Sequence, residues 1–251
     1  MKKFRVLHRQ FVVEGDKIVK DSILKSRAIP DILIANSTWL KENKSFTEIS
    51  VPEILEAGNE DLARITSLET PPPVMAVFGM PDPETGCERA ETSLSIALDT
   101  IQDPGNLGTI IRIADWFGIK SIYCSTGCAD IYNPKTVQAS MGALFNVQVC
   151  YTDLKALLEQ CRQTPDFPVL GTFMQGTSVH EAGKVRRGMI LFGNESRGIS
   201  ADLFPFINSR ITIPAASNNP AHVESLNVAS SVAVVCALIT EPSKKSAGSQ
   251  V

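Results

Sequence analysis

With 251 residues, 43% of them hydrophobic and 20% charged, the chain can fill one large core or a small and a medium one. Its longest apolar run, 228–239, is broken by Ser230 and Ser231, and the opening Met1-Lys2-Lys3-Phe4-Arg5 has no secretory apolar core, so no membrane span or leader is expected and the cytoplasm is the expected location. The net charge of -3 speaks against a polyanionic partner overall, but residues 1–27 hold eight basic side chains against three acidic ones, so this end carries +5 and the rest -8.

In chain order, Phe11-Val12-Val13 reads as a strand and 15–26 as a helix with Ile18, Val19, Ser22 and Ile23 on one face. A strand over 31–35 follows, then a helix over 38–44, an extended stretch over 46–50 and a helix over 52–57 with proline in its first turn. Pro71-Pro72-Pro73 opens a last strand, 74–78, because proline suits the first residue of a strand and not its middle. Residues 1–78 thus form a small α/β domain. Residues 79–92, rich in glycine, proline and acids, have almost nothing to bury and read as a linker.

From 93 to 242 strands are expected at 94–99, 120–124, 145–150, 168–173, 188–193 and 209–213. Helices are expected near 106–118, 132–141, 152–163, 200–207 and 223–239, and 243–251 reads as a disordered tail. Short Val/Ile/Leu strands separated by helices imply a parallel sheet with helices on both faces, and ligands of such sheets bind beyond the carboxyl ends of the strands. Six cysteines without a C-x-x-C pair read as buried free thiols, and three scattered histidines, His8, His180 and His222, give a metal site little support.

Three strand, polar loop, helix segments carry the chemistry. In the first, Asp99-Thr100-Ile101-Gln102-Asp103-Pro104-Gly105-Asn106-Leu107-Gly108, glycines allow close backbone approach, Asn106 can cap the helix, and Arg112 can reach back as a phosphate clamp or pair with Asp115 or Asp99. A lone G-x-x-G is no dinucleotide fingerprint, which disfavours a nucleotide-dependent oxidoreductase. The second is Leu191-Phe192-Gly193-Asn194-Glu195-Ser196-Arg197-Gly198-Ile199. In the third, Ile211-Thr212-Ile213-Pro214 leads through Asn218, Asn219, His222, Glu224, Ser225, Leu226 and Asn227 into the final apolar run. There Glu224 or Ser225 could simply cap the last helix.

Together these segments resemble the signature motifs of the SpoU (TrmH) family of RNA ribose 2′-O-methyltransferases. Asn106, Gly108 and Arg112 match the first motif, Gly193, Asn194, Glu195 and Gly198 the second, and Pro214, Glu224, Ser225, Leu226 and Asn227 the third. Residues 132–135 and 139–143 are similar to that family too. The resemblance covers 94–240, and 11–78 looks like the small ribosomal-protein-like substrate-binding module that often precedes it. Two departures stand out: the stretch 215–223 is longer than usual, and Gln138 stands where a basic residue is common.

The resemblance implies a SPOUT fold with a C-terminal trefoil knot, a homodimer, S-adenosylmethionine as cofactor, rRNA or tRNA as partner, and no metal. It further implies that Asn106, Glu195, Ser225 and Asn227 position the ribose and Arg112, while Thr172, Gly193, Ile213 and Leu226 hold the cofactor. A guanidinium is a poor proton acceptor, so Arg112 is expected to clamp a phosphate rather than act as base. Lys17, Lys20 and Lys25 are the candidate RNA contacts of the basic end. A catalytically silent RNA-binding relative is the alternative; it would be favoured by loss of Arg112 or Asn227, and both are present.

Overall fold

The computed structural model describes residues 2–47, 51–81, 90–216 and 225–241. The chain sorts into two units, Met1–Gly86 with Pro104–Arg112 and Ala129–Asn146, and Cys87–Asp103 with Ile113–Cys128 and Val147–Val251. The tail 243–251 and most of the stretch 79–92 lie outside the described residues.

The first unit runs α1 (Lys2–His8), β1 (Gln10–Glu14), α2 (Asp16–Leu24), β2 (Ile32–Ala35), α3 (Ser37–Glu42), α4 (Lys44–Thr47), β3 (Glu53–Glu56), α5 (Asn59–Ile65) and β4 (Val74–Gly79). Its sheet has the order β1-β4-β2-β3, with β4 antiparallel to both neighbours and β3 parallel to β2. Helix α2 buries Ile18, Val19, Ser22 and Ile23, the face that the spacing predicts. Asn36 caps α3, accepting the Trp39 N–H at 2.8 Å.

Two expectations fail here. Part of the predicted extended stretch 46–50 belongs to α4, while 48–50 lie outside the described residues. The predicted helix 52–57 is the edge strand β3: Ile54 and Leu55 are adjacent, so they give no helical stripe, and pairing with β2 decides the conformation. The unpredicted α5 begins after Gly58, with Glu60 and Asp61 in its first turn and Arg64 in its last, charges that suit the helix dipole.

The core of this unit takes in residues from beyond the N-terminal stretch. Phe11, Val13, Leu33, Val74, Ala76 and Phe78 share it with Val137 of α7 (Pro134–Ser140), and Tyr132, Met141, Leu144 and Phe145 pack against it. The Phe11 ring lies 4.7 Å from Tyr132 and 5.8 Å from Phe145. Arg5 pairs with Asp130 at 2.8 Å. Helix α6 (Pro104–Trp116) meets α7 at Gly108, where a Cβ would stand 2.4 Å from the Thr136 carbonyl oxygen, a separation only glycine permits.

The second unit contains β5 (Leu94–Leu98), β6 (Ser121–Cys124), β7 (Gln148–Tyr151), α8 (Leu154–Cys161), β8 (Val169–Ser178), β9 (Gly188–Phe192), a 3₁₀ helix at Ala201–Phe206, β10 (Ser209–Thr212) and α9 (Val228–Ile239). Its six strands lie in the order β10-β8-β9-β5-β6-β7 and every pair is parallel. Each residue of β5, β6 and β9 is buried, Ser95 and Ser121 included, so both faces are covered, as their predominantly apolar character predicts. The segment expected as a helix over 200–207 is a 3₁₀ helix with Pro205 inside it. Cys150 is disulfide-bonded, against the expectation of free thiols, whereas Cys124, Cys128, Cys161 and Cys236 are free.

Candidate functional site

Sheet topology marks the place. From β5 the chain steps outward to β6 and β7, then crosses to the other side for β8 and β9, so the direction reverses between β5 and β9. In an open parallel sheet the crevice beyond the carboxyl ends at such a reversal receives ligands.

Hydrogen bonds tie the loops at this end together. Asp99, 4% exposed, donates its N–H to the Phe192 carbonyl at 2.9 Å, and its carboxylate accepts the Ser200 N–H at 2.7 Å and the Thr100 hydroxyl at 2.9 Å. Thr100 has φ 58°, an uncommon conformation for a β-branched residue. Its N–H is held by Ser125 Oγ at 2.8 Å and its carbonyl by the Asn194 side-chain amide at 2.9 Å. The Ile101 N–H donates to Cys128 Sγ at 3.3 Å. Sequence reasoning named Asp99 only as a possible partner of Arg112 and assigned no site role to Thr100, Ser125, Cys128 or Ser200. The one available signal was a carboxylate directly after the apolar run Ile96-Ala97-Leu98, since a buried charge needs partners.

The second loop folds back on itself. Asn194 and Gly198 exchange backbone hydrogen bonds at 3.0 and 2.9 Å, and Asn194 Oδ1 accepts the N–H groups of Ser196 and Arg197. Gly193 is obligatory, because a Cβ would lie 2.1 Å from the Gly198 carbonyl carbon, and Gly198 has φ 69°. The result is a rigid turn with Glu195, Ser196 and Arg197 exposed at its tip.

Of the proposed cofactor residues, Thr172, Gly193 and Ile213 are half-buried and Leu226 is 50% exposed. Thr172 lies within β8, just past its last pair with β9, where its hydroxyl donates to the Leu191 carbonyl at 3.0 Å; Gly193 directly follows β9 and Ile213 follows β10. Asn227, not Glu224 or Ser225, supplies the cap of α9: its side chain accepts the N–H groups of Ala229 at 2.9 Å and Ser230 at 3.3 Å, so the helix starts at Val228 rather than 223. Ser225 is exposed; Asn218, Asn219, His222 and Glu224 lie outside the described residues.

Asn106 and Arg112 belong to the first unit, whereas Thr172, Gly193, Glu195, Ile213, Ser225, Leu226 and Asn227 belong to the second. Because α6 starts at Pro104, Asn106 is its third residue and not its cap, and Arg112 stands on the third turn. Arg112 is exposed and Asn106 half-buried. Of the lysines, Lys17 is exposed, Lys20 pairs with Asp16 at 2.7 Å beneath the Trp39 ring, and Lys25 pairs with Asp21 at 2.9 Å. Burial alone would push the Asp16 carboxyl up, but hydrogen bonds from Lys20 and Trp39 outweigh it and hold the group below its ordinary value.

Cys128 is the unusual thiol. A hydrogen bond from Cys124 lowers its pKa to about 7 against the opposing effect of burial, with help from the Ile101 N–H and Ser125. Burial pushes Cys236 up to about 12. Among the described residues no cluster of three or more His, Cys, Asp or Glu side chains could hold a metal, and no helix is long and apolar enough to cross a membrane.

The chain is similar over its length to proteins that modify RNA. It is 29% identical over 243 residues to the 23S rRNA (guanosine(2553)-2′-O)-methyltransferase RlmP of Bacillus subtilis, covering 93% of this chain and 90% of that one. A structure of a TrmH-family protein from Porphyromonas gingivalis superimposes with TM-score 0.80 at 36% identity, covering 96% and 93% of the two chains. The AdoMet-bound rRNA methyltransferase of Sinorhizobium meliloti does so with TM-score 0.78 at 27% identity, covering 94% and 88%. An MRM3-like substrate binding domain model matches residues 1–76. Since the SpoU rRNA Methylase family model matches residues 93–237, more than half of the chain, this protein belongs to that family.

Proposed function

We propose that the protein transfers a methyl group from S-adenosylmethionine to a ribose 2′-hydroxyl of structured RNA, ribosomal or transfer RNA. The observation that carries this reading is the rigid 193–198 turn, locked through Asn194 to Thr100 at the point where strand order reverses. It coincides with the second motif of the family to which the chain belongs. The B. subtilis relative and the SpoU rRNA Methylase family model support ribosomal RNA in particular.

The residues suit such a cofactor. Gly193 lets the turn close on Gly198, Ile213 and Leu226 offer apolar surface, and the Thr172 hydroxyl ties β8 to β9. When bound, S-adenosylmethionine supplies a methyl group on a sulfonium, ready for in-line transfer. The protein contributes mainly orientation. Thr172, Gly193, Ile213 and Leu226 hold the donor, Asn106, Glu195, Ser225 and Asn227 position the ribose, and Arg112 clamps the neighbouring phosphate. Residues 1–78 serve as the RNA-binding domain, with Lys17, Lys20 and Lys25 among its contacts, and 93–242 as the methyltransferase domain.

In this reading the chain carries a C-terminal trefoil knot, acts as a homodimer and works in the cytoplasm. Calorimetric titration should give saturable binding of S-adenosylmethionine and none of NAD; the reverse would end the methyltransferase reading. Mapping of 2′-O-methylation in total RNA from a strain lacking the protein should reveal one missing site. Sedimentation should give a dimer at micromolar concentration, and an active monomer would remove that part. A crystallographic trace of 209–241 tests the knot.

A further inference from the structure

Strands β8 and β10 do not pair evenly. Arg210 faces Gly171, but the next residue of β10, Ile211, faces Thr177, so residues 172–176 leave the ladder. Such a bulge at a sheet edge redirects side chains. This one is firmly held: the Thr172 hydroxyl donates to the Leu191 carbonyl, the Thr212 hydroxyl to the Met174 carbonyl at 3.1 Å, and Gly176 lies so close to the Arg210 carbonyl oxygen that a Cβ would stand 2.5 Å away.

The excursion exposes Met174, 68% accessible, while Phe173 is half-buried and packs against the core of this unit. The guanidinium of Arg210 lies over the ring of Phe173 at 4.7 Å and over that of Phe204 at 5.2 Å, and the two rings meet edge to face at 5.4 Å. Phe204 is 36% exposed and β10 is an edge strand. Among the described residues, no carboxylate or carbonyl takes the N–H donors of Arg210.

We propose that Arg210, Phe173, Phe204 and Met174 form an RNA-docking platform on the methyltransferase unit, apart from the basic N-terminal segment. A guanidinium held against two aromatic rings has little rotamer freedom left to lose, and Arg210 is exposed, so its fork of donors is open to solvent, an arrangement suited to phosphate. The exposed ring and thioether beside it offer a surface on which a base can stack. A polyanion complements this uncompensated charge. Phe173 adjoins Thr172 of the proposed cofactor wall, so RNA on the platform runs along the margin of the reaction site. The inference rests on the RNA methyltransferase reading.

The test uses the full-length protein and unmodified 23S ribosomal RNA transcribed in vitro, with filter retention measured across a salt series and S-adenosylmethionine affinity measured in parallel. Arg210→Ala should weaken RNA retention about five- to tenfold and flatten the log–log salt slope by about 0.7, the value for one phosphate on a single strand. Cofactor affinity and the thermal midpoint should stay unchanged. Arg210→Lys should keep the slope and lose part of the affinity, since it retains the charge without the stacked fork. Unchanged retention by Arg210→Ala overturns the platform and leaves the cluster to packing or a protein contact; joint loss of RNA and cofactor binding overturns it too. Wild-type protein that retains RNA but binds no S-adenosylmethionine sinks the methyltransferase reading and leaves the platform standing.

Discussion

Arg112 is exposed on the third turn of α6 and is assigned to the RNA side of the reaction. Arg112→Ala should therefore abolish methyl transfer while S-adenosylmethionine affinity, read by calorimetry, stays within a few-fold; collapse of that affinity would place the residue with the cofactor instead. The lysines are not equivalent. Lys25 already faces Asp21, and Lys20 is engaged with both Asp16 and Trp39, so reversing Lys20 would disturb packing as well as charge. Lys17→Glu should flatten the salt dependence of RNA binding by about 0.7 in log–log slope. Lys25→Glu should do less, because its charge is partly offset by its helical neighbour. Equal slopes for Lys17→Glu and wild type would remove the N-terminal contact. Cys128 offers a pH signature. Its lowered pKa of about 7 means that the thiolate is present above neutrality, so its alkylation rate should rise with a midpoint near pH 7, while Cys236, at about 12, stays inert through pH 9. Peptide mapping after brief labelling separates the two, and a midpoint near 9 for Cys128 would contradict the hydrogen bonding described.

At the level of elements, α9 shows how a structural role and a proposed catalytic one meet in one side chain. Asn227 caps the helix with two hydrogen bonds, and its removal in Asn227→Ala should cost about 1 kcal/mol in chemical denaturation. Turnover should fall further than that loss explains, and further than in His222→Ala. Asn227→Asp separates the roles, since a carboxylate caps as well as an amide: stability should be kept and turnover lost. Retained turnover in Asn227→Asp would reduce the residue to its cap. This cap belonged to the sequence reading only as a possibility for its neighbours. Glu224, Ser225 and Asn227 all have capping chemistry, and where the helix begins is set by how the chain enters it.

At the scale of the whole molecule, the first unit depends on residues far along the chain. Phe11 and Phe78 pack with Tyr132, Val137 and Phe145, so a fragment ending at Pro81 would expose a face that the full chain buries. That fragment should lose the near-ultraviolet signal of packed aromatic side chains and unfold at lower urea than the same unit in the full protein. A cooperative, equally stable fragment would show that β1, β2, β3 and β4 with α2 suffice. An RNA-binding test on the isolated module is accordingly less informative than the charge reversals above, which leave the chain intact.

The parallel sheet was legible because burial on both faces demands predominantly apolar strands, as in 94–98 and 188–192, and a helix between parallel strands demands its own periodicity. The face of α2 was legible for the same local reason, and the motif residues of the candidate site through family resemblance. Long-range pairing was not. Residues 53–56 are a strand only because β2 lies beside them, Asp99 is a tie between loops only because Ser200 comes within 2.7 Å, and the excursion of β8 exists only against β10. Those partners stand far away in sequence, so local spacing carries no trace of them. Periodicity determined which stretches must be buried; tertiary structure decided what they are buried against, and with that which polar groups meet.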